Sequence, residues 1–210
     1  MYIRTVYRVW PARAICGALA AISVTGLILA PAQAPPLWVF LYVVCIVGTA
    51  EVFGALGAAL VDGALRDPLT SVWNRAGLAH AVTDLIVQAR RHGEQFAVIV
   101  LDVDHFKWVN DRDGHAAGDR ILIELTRAWA AKLPTASVMA RTGGDEFAVV
   151  LRGYDESGAD ALATELTEGH GVAVTYGIAV GTAEADIFES LFIDADADLY
   201  RRKSDRNDAL

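Results

Sequence analysis

Residues 137–151, Ser-Val-Met-Ala-Arg-Thr-Gly-Gly-Asp-Glu-Phe-Ala-Val-Val-Leu, set two short apolar runs on either side of a Gly-Gly pair. This pattern predicts a β-hairpin, with strands over 137–141 and 146–151 and the glycines at the turn. Upstream, Gln95–Leu101 (QFAVIVL) is a continuous, partly β-branched run that ends in Asp102-Val103-Asp104. Such a run suits a strand buried on both faces. Between them, Ala116–Lys132 carries Ile121, Leu122, Leu125, Ala128 and Trp129 at helical spacing. Farther out, Arg75–Arg91 bears a helical stripe of Leu78, Ala81, Val82, Leu85, Ile86 and Ala89. Asp155–Leu166 reads as a helix, Gly171–Val180 as a strand and Ile187–Arg202 as a terminal helix that turns Tyr200 to the core. The order α-β-α-β-β-α-β-α predicts an α+β domain with a central, mainly antiparallel sheet flanked by helices.

The 210 residues are 54 % apolar, and their net charge of −8 is unevenly spread: 1–66 hold four basic and two acidic residues, 67–210 fourteen and twenty-four. An acidic globule has no bulk attraction for polyanions, so no nucleic-acid partner is expected. Phosphate handling here needs metal ions and a few placed cations. Cys16 and Cys45 both lie in apolar runs and offer no disulfide framework.

Ala14–Ala50 is 37 residues long without one Asp, Glu, Lys or Arg, and it breaks at Pro31-Ala-Gln-Ala-Pro-Pro36. Two membrane spans are expected, over about 14–34 and 37–60. Their apolar stretches reach about 26 Å and 36 Å at 1.5 Å per residue, against a hydrocarbon core of about 30 Å. Arg4, Arg8 and Arg13 before the pair and Arg66 after it put both ends in the cytoplasm. The expectation is a two-helix transmembrane hairpin in the inner membrane, with residues 67–210 as a cytoplasmic domain. A second reading of the first span stays open: a signal peptide cleaved after Ala32-Gln33-Ala34. Glu51 is then an intramembrane carboxylate, a functional candidate by its cost alone. Ala50, Gly54 and Ala58 recur at the spacing that lets helices approach closely.

The chemistry concentrates where acids interrupt apolar runs. Asp102 closes one buried strand, and Asp145-Glu146 opens another. Carboxylates converging at sheet edges suit Mg²⁺, which also keeps waters and substrate phosphates and serves in-line phosphoryl transfer. Alternation along a strand points Asp145 and Glu146 to different sides. The alternative is a set of solvated turn acids paired with Arg141. Between strand and helix, residues 102–119 supply Lys107 as a phosphate counter-charge, with Asn110 and Asp119 as an amide and a carboxylate able to read guanine. No G-x-x-x-x-G-K-[ST] loop occurs, which excludes a P-loop nucleotidase.

Gly143-Gly-Asp-Glu-Phe147 resembles the signature of the GGDEF-domain diguanylate cyclases, and L-D-V-D-H-F-K-W-V-N-D-R-D-G-H-A-A-G-D (101–119) resembles that family's second block. Asp67-Pro-Leu-Thr-Ser-Val-Trp-Asn-Arg75, Thr175-Tyr-Gly177 and Ala195-Asp-Ala-Asp-Leu-Tyr200 are similar to its opening and late motifs. The resemblance implies a palm-like sheet and the condensation of two GTP into cyclic di-GMP and two pyrophosphates. It implies two Mg²⁺ per site, with Mn²⁺ able to replace them, held by Asp102, Asp145 and the carbonyl of Val103. Glu146 would stand near the attacking 3′-hydroxyl as metal partner or base. Asn110 and Asp119 would read guanine, and backbone N–H groups of His105, Phe106 and Lys107 would hold phosphates with Lys203 and Arg206 as cations. Each protomer would bind one GTP, so a homodimer is implied, and the membrane hairpin with its lipid contacts would help align it. Weaker versions also stand: a GTP- or dinucleotide-binding receptor with little catalysis, a scaffold with a vestigial domain, or a cyclase with relaxed base choice.

Three departures matter. The family's inhibitory product site, Arg-x-x-Asp, would fall at Pro134 and Ser137, so no such site is expected. The tail Lys203-Ser-Asp-Arg206-Asn207 is one residue shorter than Lys-x-x-Gly-Arg-Asn. The stretch Glu165–Val172 is compact enough to have lost a peripheral hairpin. Trp73 and Trp108 are expected in packing roles, and His80, His92 and His170 on surface or loops.

Overall fold

The computed structural model describes residues 17–18, 20–26, 35–182 and 187–208. The chain divides into two compact units, 1–64 and 65–210. In the first, α1 (Pro36–Ala64) is the one helix among the described residues long and apolar enough to cross a membrane. Trp38, Phe40, Val52, Phe53 and Leu60 are each close to two-thirds exposed along it, a surface that water penalises and lipid accepts. At about 1.5 Å per residue α1 exceeds the hydrocarbon core by several residues, enough to span with tilt. Among the described residues the expected hairpin is corrected to one apolar helix of spanning length. Residues 20–26 are helical, but most of the first expected span, its arginines and the Ala32-Gln33-Ala34 site lie outside the described residues.

The second unit is built on a five-stranded mixed sheet in the order β1-β3-β4-β2-β5. Its strands are β1 (Trp73–Asn74), β2 (Gln95–Val103), β3 (Ser137–Arg141), β4 (Glu146–Arg152) and β5 (Val174–Thr182). Only the β1–β3 pair is parallel; β3–β4, β4–β2 and β2–β5 are antiparallel. The helices are α2 (Arg75–His92), α3 (Phe106–Asp113), α4 (His115–Lys132), α5 (Glu156–Thr167) and α6 (Ile187–Asp208). Asn74 caps α2 by accepting from the Gly77 N–H at 2.9 Å, and Asp155 caps α5 through the Gly158 N–H at 2.8 Å.

The continuous apolar run of β2 is explained by cover on both sides. Ala97, Ile99 and Leu101 join Phe147, Val149, Leu122, Leu125, Trp129 and Leu166 under α4 and α5. Phe96, Val98 and Val100 join Ala148, Val150, Leu78, Val82, Leu191, Ala195 and Leu199 under α2 and α6. Strand alternation then carries Asp102 to the α6 side. On α6 the stripe Leu191–Ala195–Leu199 continues at the next four-residue step to Lys203. A Cβ on Gly177 of β5 would lie 2.1 Å from the Ala195 carbonyl oxygen and 2.2 Å from the Leu199 nitrogen. Only glycine lets α6 lie this close to the sheet.

Two elements depart from expectation. β1 is too short to show any periodicity, and α3 lies inside the segment read as a polar connection. Tyr200 is 74 % exposed, and its neighbour Leu199 is the buried residue; the terminal helix is turned by one position from its expected phase. Trp108 is also exposed, with the Arg112 guanidinium 4.1 Å from its ring centroid, so it packs into no core. Residues 168–173 pass to β5 without a hairpin.

Candidate active site

The acids meet where β2, β4 and the 142–145 turn end together. Asp102 is the direct cross-strand partner of Glu146, and the Val103 N–H donates to the Asp145 carbonyl at 3.2 Å. Two like charges in directly opposed positions destabilise a sheet unless a cation joins them. One does: Lys203 Nζ lies 2.5 Å from Asp102 Oδ1. Even so, burial first, and then the charges of Asp145 and Asp104, hold the Asp102 carboxyl above the ordinary value against the pull of Lys203. Burial, followed by Asp102, Asp145 and Asp196, likewise raises Glu146. Asp196, on α6, was not anticipated as a neighbour.

Arg141 takes a different partner from the one considered. Its guanidinium donates to Asp67 at 3.2 and 3.3 Å and to the Gly144 carbonyl at 2.6 and 3.1 Å. It thus braces the turn from below and leaves Asp145 and Glu146 to other work. Asp67 also accepts from the Thr70 hydroxyl and N–H at 2.6 and 2.8 Å. Burial pushes the Asp67 carboxyl up, but these hydrogen bonds and the Arg141 charge outweigh it and hold it below its usual value.

The segment after β2 turns sharply. His105 adopts the left-handed conformation (φ 55°), unusual for a residue with a side chain and a form of strain that collects at functional sites. It starts α3, whose first-turn N–H groups have no partners inside the helix. Phe106 is buried and roots the turn, whereas His105 and Lys107 are exposed. At the far end, a Cβ on Gly118 would stand 2.1 Å from Asn110 Oδ1 and 2.9 Å from Phe106 Cζ. The Asn110 amide therefore rests on the bare backbone of α4, one residue before the exposed Asp119.

From α6, Lys203 reaches Asp102, and Arg206 reaches Asp104 at 2.8 Å. The sequence motifs assign no role to Asp104 or to its hydroxyl partner Thr175. Their signal in the sequence was the second acid of Asp102-Val103-Asp104, two residues along in extended chain. Ser137 Oγ donates to the Pro134 carbonyl at 2.6 Å, so those two positions satisfy each other.

The donor set fits magnesium. Among the described residues no three acidic, histidine or cysteine side chains form a ready metal cage. Mg²⁺ needs no such cage, because it takes one or two carboxylates and completes its shell with water and phosphate. Crowded carboxylates of raised pKa, held partly neutral by one lysine, are a place where added positive charge is favourable.

Residues 64–209 match the family model described as diguanylate cyclase, GGDEF domain. The chain belongs to the GGDEF family. It is 39 % identical over 160 residues to diguanylate cyclase TpbB of Pseudomonas aeruginosa, covering 70 % of this chain and 37 % of TpbB. It is 32 % identical to the probable diguanylate cyclase DgcC of Escherichia coli, covering 68 % of this chain and 42 % of that protein. The GGDEF chain thus spans about two-fifths of the length of these curated relatives. Among solved structures, the coiled coil and GGDEF domain of DgcB from Caulobacter crescentus, in complex with c-di-GMP, aligns with a TM-score of 0.67 at 25 % identity, over 75 % of this chain and 91 % of that one.

Proposed function

We propose that this protein is a diguanylate cyclase, joining two GTP into cyclic di-GMP with release of two pyrophosphates. The observation that carries the reading is the cross-strand pair Asp102–Glu146 beside Asp145, an acid cluster met by Lys203 from another element. Asp102, Asp145 and the Val103 carbonyl are the groups to hold two Mg²⁺, or Mn²⁺ in their place. The bound ions would neutralise triphosphate charge and polarise the reacting phosphate.

The chain's own residues do the rest. Asn110 and Asp119 orient the guanine, the amide accepting and donating while the carboxylate accepts. The N–H groups at His105, Phe106 and Lys107, with the Lys107 and Lys203 ammonium groups, hold the phosphates. Glu146, at the edge of the acid cluster, takes the proton from the 3′-hydroxyl. That oxygen bonds to the α-phosphorus of the second GTP as the bond to pyrophosphate breaks. Two protomers must face each other for each hydroxyl to meet the other's phosphate, so the active form is a homodimer. Helix α1 anchors the chain in the inner membrane and confines protomers to a plane, and Arg66 after it favours a cytoplasmic site. Approximation of this kind supplies several kcal/mol of a barrier, about 7–11 at most.

The test is turnover of GTP with Mg²⁺ by the full chain and by Asp145→Asn and Asn110→Ala. The reading expects cyclic di-GMP from the parent, none from the first variant and a raised GTP KM in the second. Equal turnover in all three refutes it. Competition with ATP decides base choice.

A further inference from the structure

We infer that Asp104 and Thr175 are positioning residues: they fix Arg206, and through it the end of α6, so that Lys203 is delivered to the acid cluster. The inference deepens the cyclase reading and rests on it for its catalytic consequence.

The Asp104 side chain is only 4 % exposed, yet no step above uses it. Burying a carboxylate costs several kcal/mol unless it is paired and hydrogen-bonded. It is both. The Thr175 hydroxyl lies 2.8 and 2.9 Å from its two oxygens, and Arg206 Nη2 lies 2.8 Å from Oδ2. Its own N–H donates to the Ala173 carbonyl at 2.9 Å, which ties the turn after β2 to the start of β5. The acceptor is rigid before Arg206 arrives.

Lys203 and Arg206 form two rungs between α6 and the end of β2. The rungs differ in their acids: Asp102 is 14 % exposed and crowded by Asp145 and Asp104, whereas Arg206, itself 43 % exposed, reaches an acid that is only 4 % exposed. The second ends on a buried, doubly held acid. The shortened tail, with Arg206 three residues after Lys203, is what sets these rungs on two acids spaced two apart in extended chain. One turn back, Arg202 donates to Asp198 at 2.9 Å and to Asp160 of α5 at 3.2 Å, so the helix is held below the rungs as well. Lys203 exchanges Asp102 for a triphosphate oxygen while Arg206 keeps the helix in place. Arg206 is then a holder of the helix and not a ligand of the triphosphate.

The experiment is a double-mutant cycle on the full chain with Asp104→Asn, Arg206→Ala and the pair. It is read by kcat and KM for GTP and by hydrogen exchange of the amides of 199–206. We expect each single change to lower kcat roughly ten- to hundredfold, to leave the GTP KM within about twofold, and to speed exchange. The double variant should be no worse than either single one, and Arg206→Lys should recover part of kcat. Thr175→Val, which keeps the strand's shape, should speed the same amides and serves if Asp104→Asn does not fold. A GTP KM raised by Arg206→Ala alone, with effects that multiply in the double variant, makes Arg206 a triphosphate contact and overturns the inference. Unchanged exchange in 199–206 also overturns it, whatever the turnover. Coupled loss of protection in a chain that makes no cyclic dinucleotide leaves the latch standing and removes the cyclase reading.

Discussion

Replacing Gly118 by alanine separates the guanine-reading role of Asn110 from any role in stability. The added Cβ would lie 2.1 Å from Asn110 Oδ1, where ordinary contact begins near 3.4 Å, so the amide must retreat by the difference, 1.3 Å. The backbone offers no objection. Gly118 is helical with no positive φ, and alanine is favoured over glycine inside a helix by about 1 kcal/mol. A hydrogen-bonding amide displaced that far loses its bond to the base, about 1–3 kcal/mol where the group is desolvated, or roughly five- to 150-fold. Steady-state kinetics should therefore show a GTP KM raised within that range, with the melting temperature unchanged or higher. ATP, which Asn110 is not built to read, should lose much less. A variant with unchanged GTP KM would refute the placement of guanine against Asn110. A variant that melts well below the parent would show instead that the contact with Phe106 Cζ dominates.

Other expected outcomes follow from the same geometry. Gly177→Ala puts a methyl within 2.2 Å of the α6 backbone; thermal denaturation should show a loss of about 1–3 kcal/mol, and activity should fall with the displaced Lys203. Glu146→Gln removes a carboxylate whose pKa the fold raises. A raised carboxyl favours the fold below its unfolded value of 4.5 and loses that contribution as pH rises through its folded value. Glu146 is solvent-exposed, so screening keeps the effect small: the variant should melt at or slightly above the parent at neutral pH, a gain that vanishes in acid, while turnover is lost. Asp67 has the opposite sign: its lowered carboxyl stabilises the fold above the unfolded value of 3.8 and ceases to do so as pH falls through the folded one. Asp67→Asn should cost about 1.5–3 kcal/mol at neutral pH and almost nothing in strong acid, measured by denaturant titration. Deleting residues 1–60 should lower activity per molecule, most at low protein concentration; equal activity on dilution would leave α1 as an anchor alone.

Much of this architecture is legible in the sequence because burial imposes period. The run Phe96–Leu101 of β2 is apolar at every position since helices cover both faces, and the stripes of α2 and α4 name the residues that fill those faces. Short or polar elements carry no such mark: β1 has two residues, and α3 has Phe106 and Val109 as its only buried side chains. Phase is fragile in α6, where one position separates buried Leu199 from exposed Tyr200. In the site, motifs supplied the acids, Asn110 and Asp119. They could not supply partners that only folding brings near, such as Arg141 with Asp67, 74 positions apart, or Thr175 with Asp104. Gly118 and Gly177 also look ordinary until the atoms beside their missing side chains are seen.

The central claim is that opposed acids on β2 and β4 bind metal ions to join guanine nucleotides. It is tested most directly by incubating the full chain with GTP and Mg²⁺ and identifying the products by mass. The account predicts cyclic di-GMP with two pyrophosphates for each molecule formed, and no product once the metal is chelated. GTP recovered intact at concentrations where it is bound, or cleaved only to GDP, would contradict it.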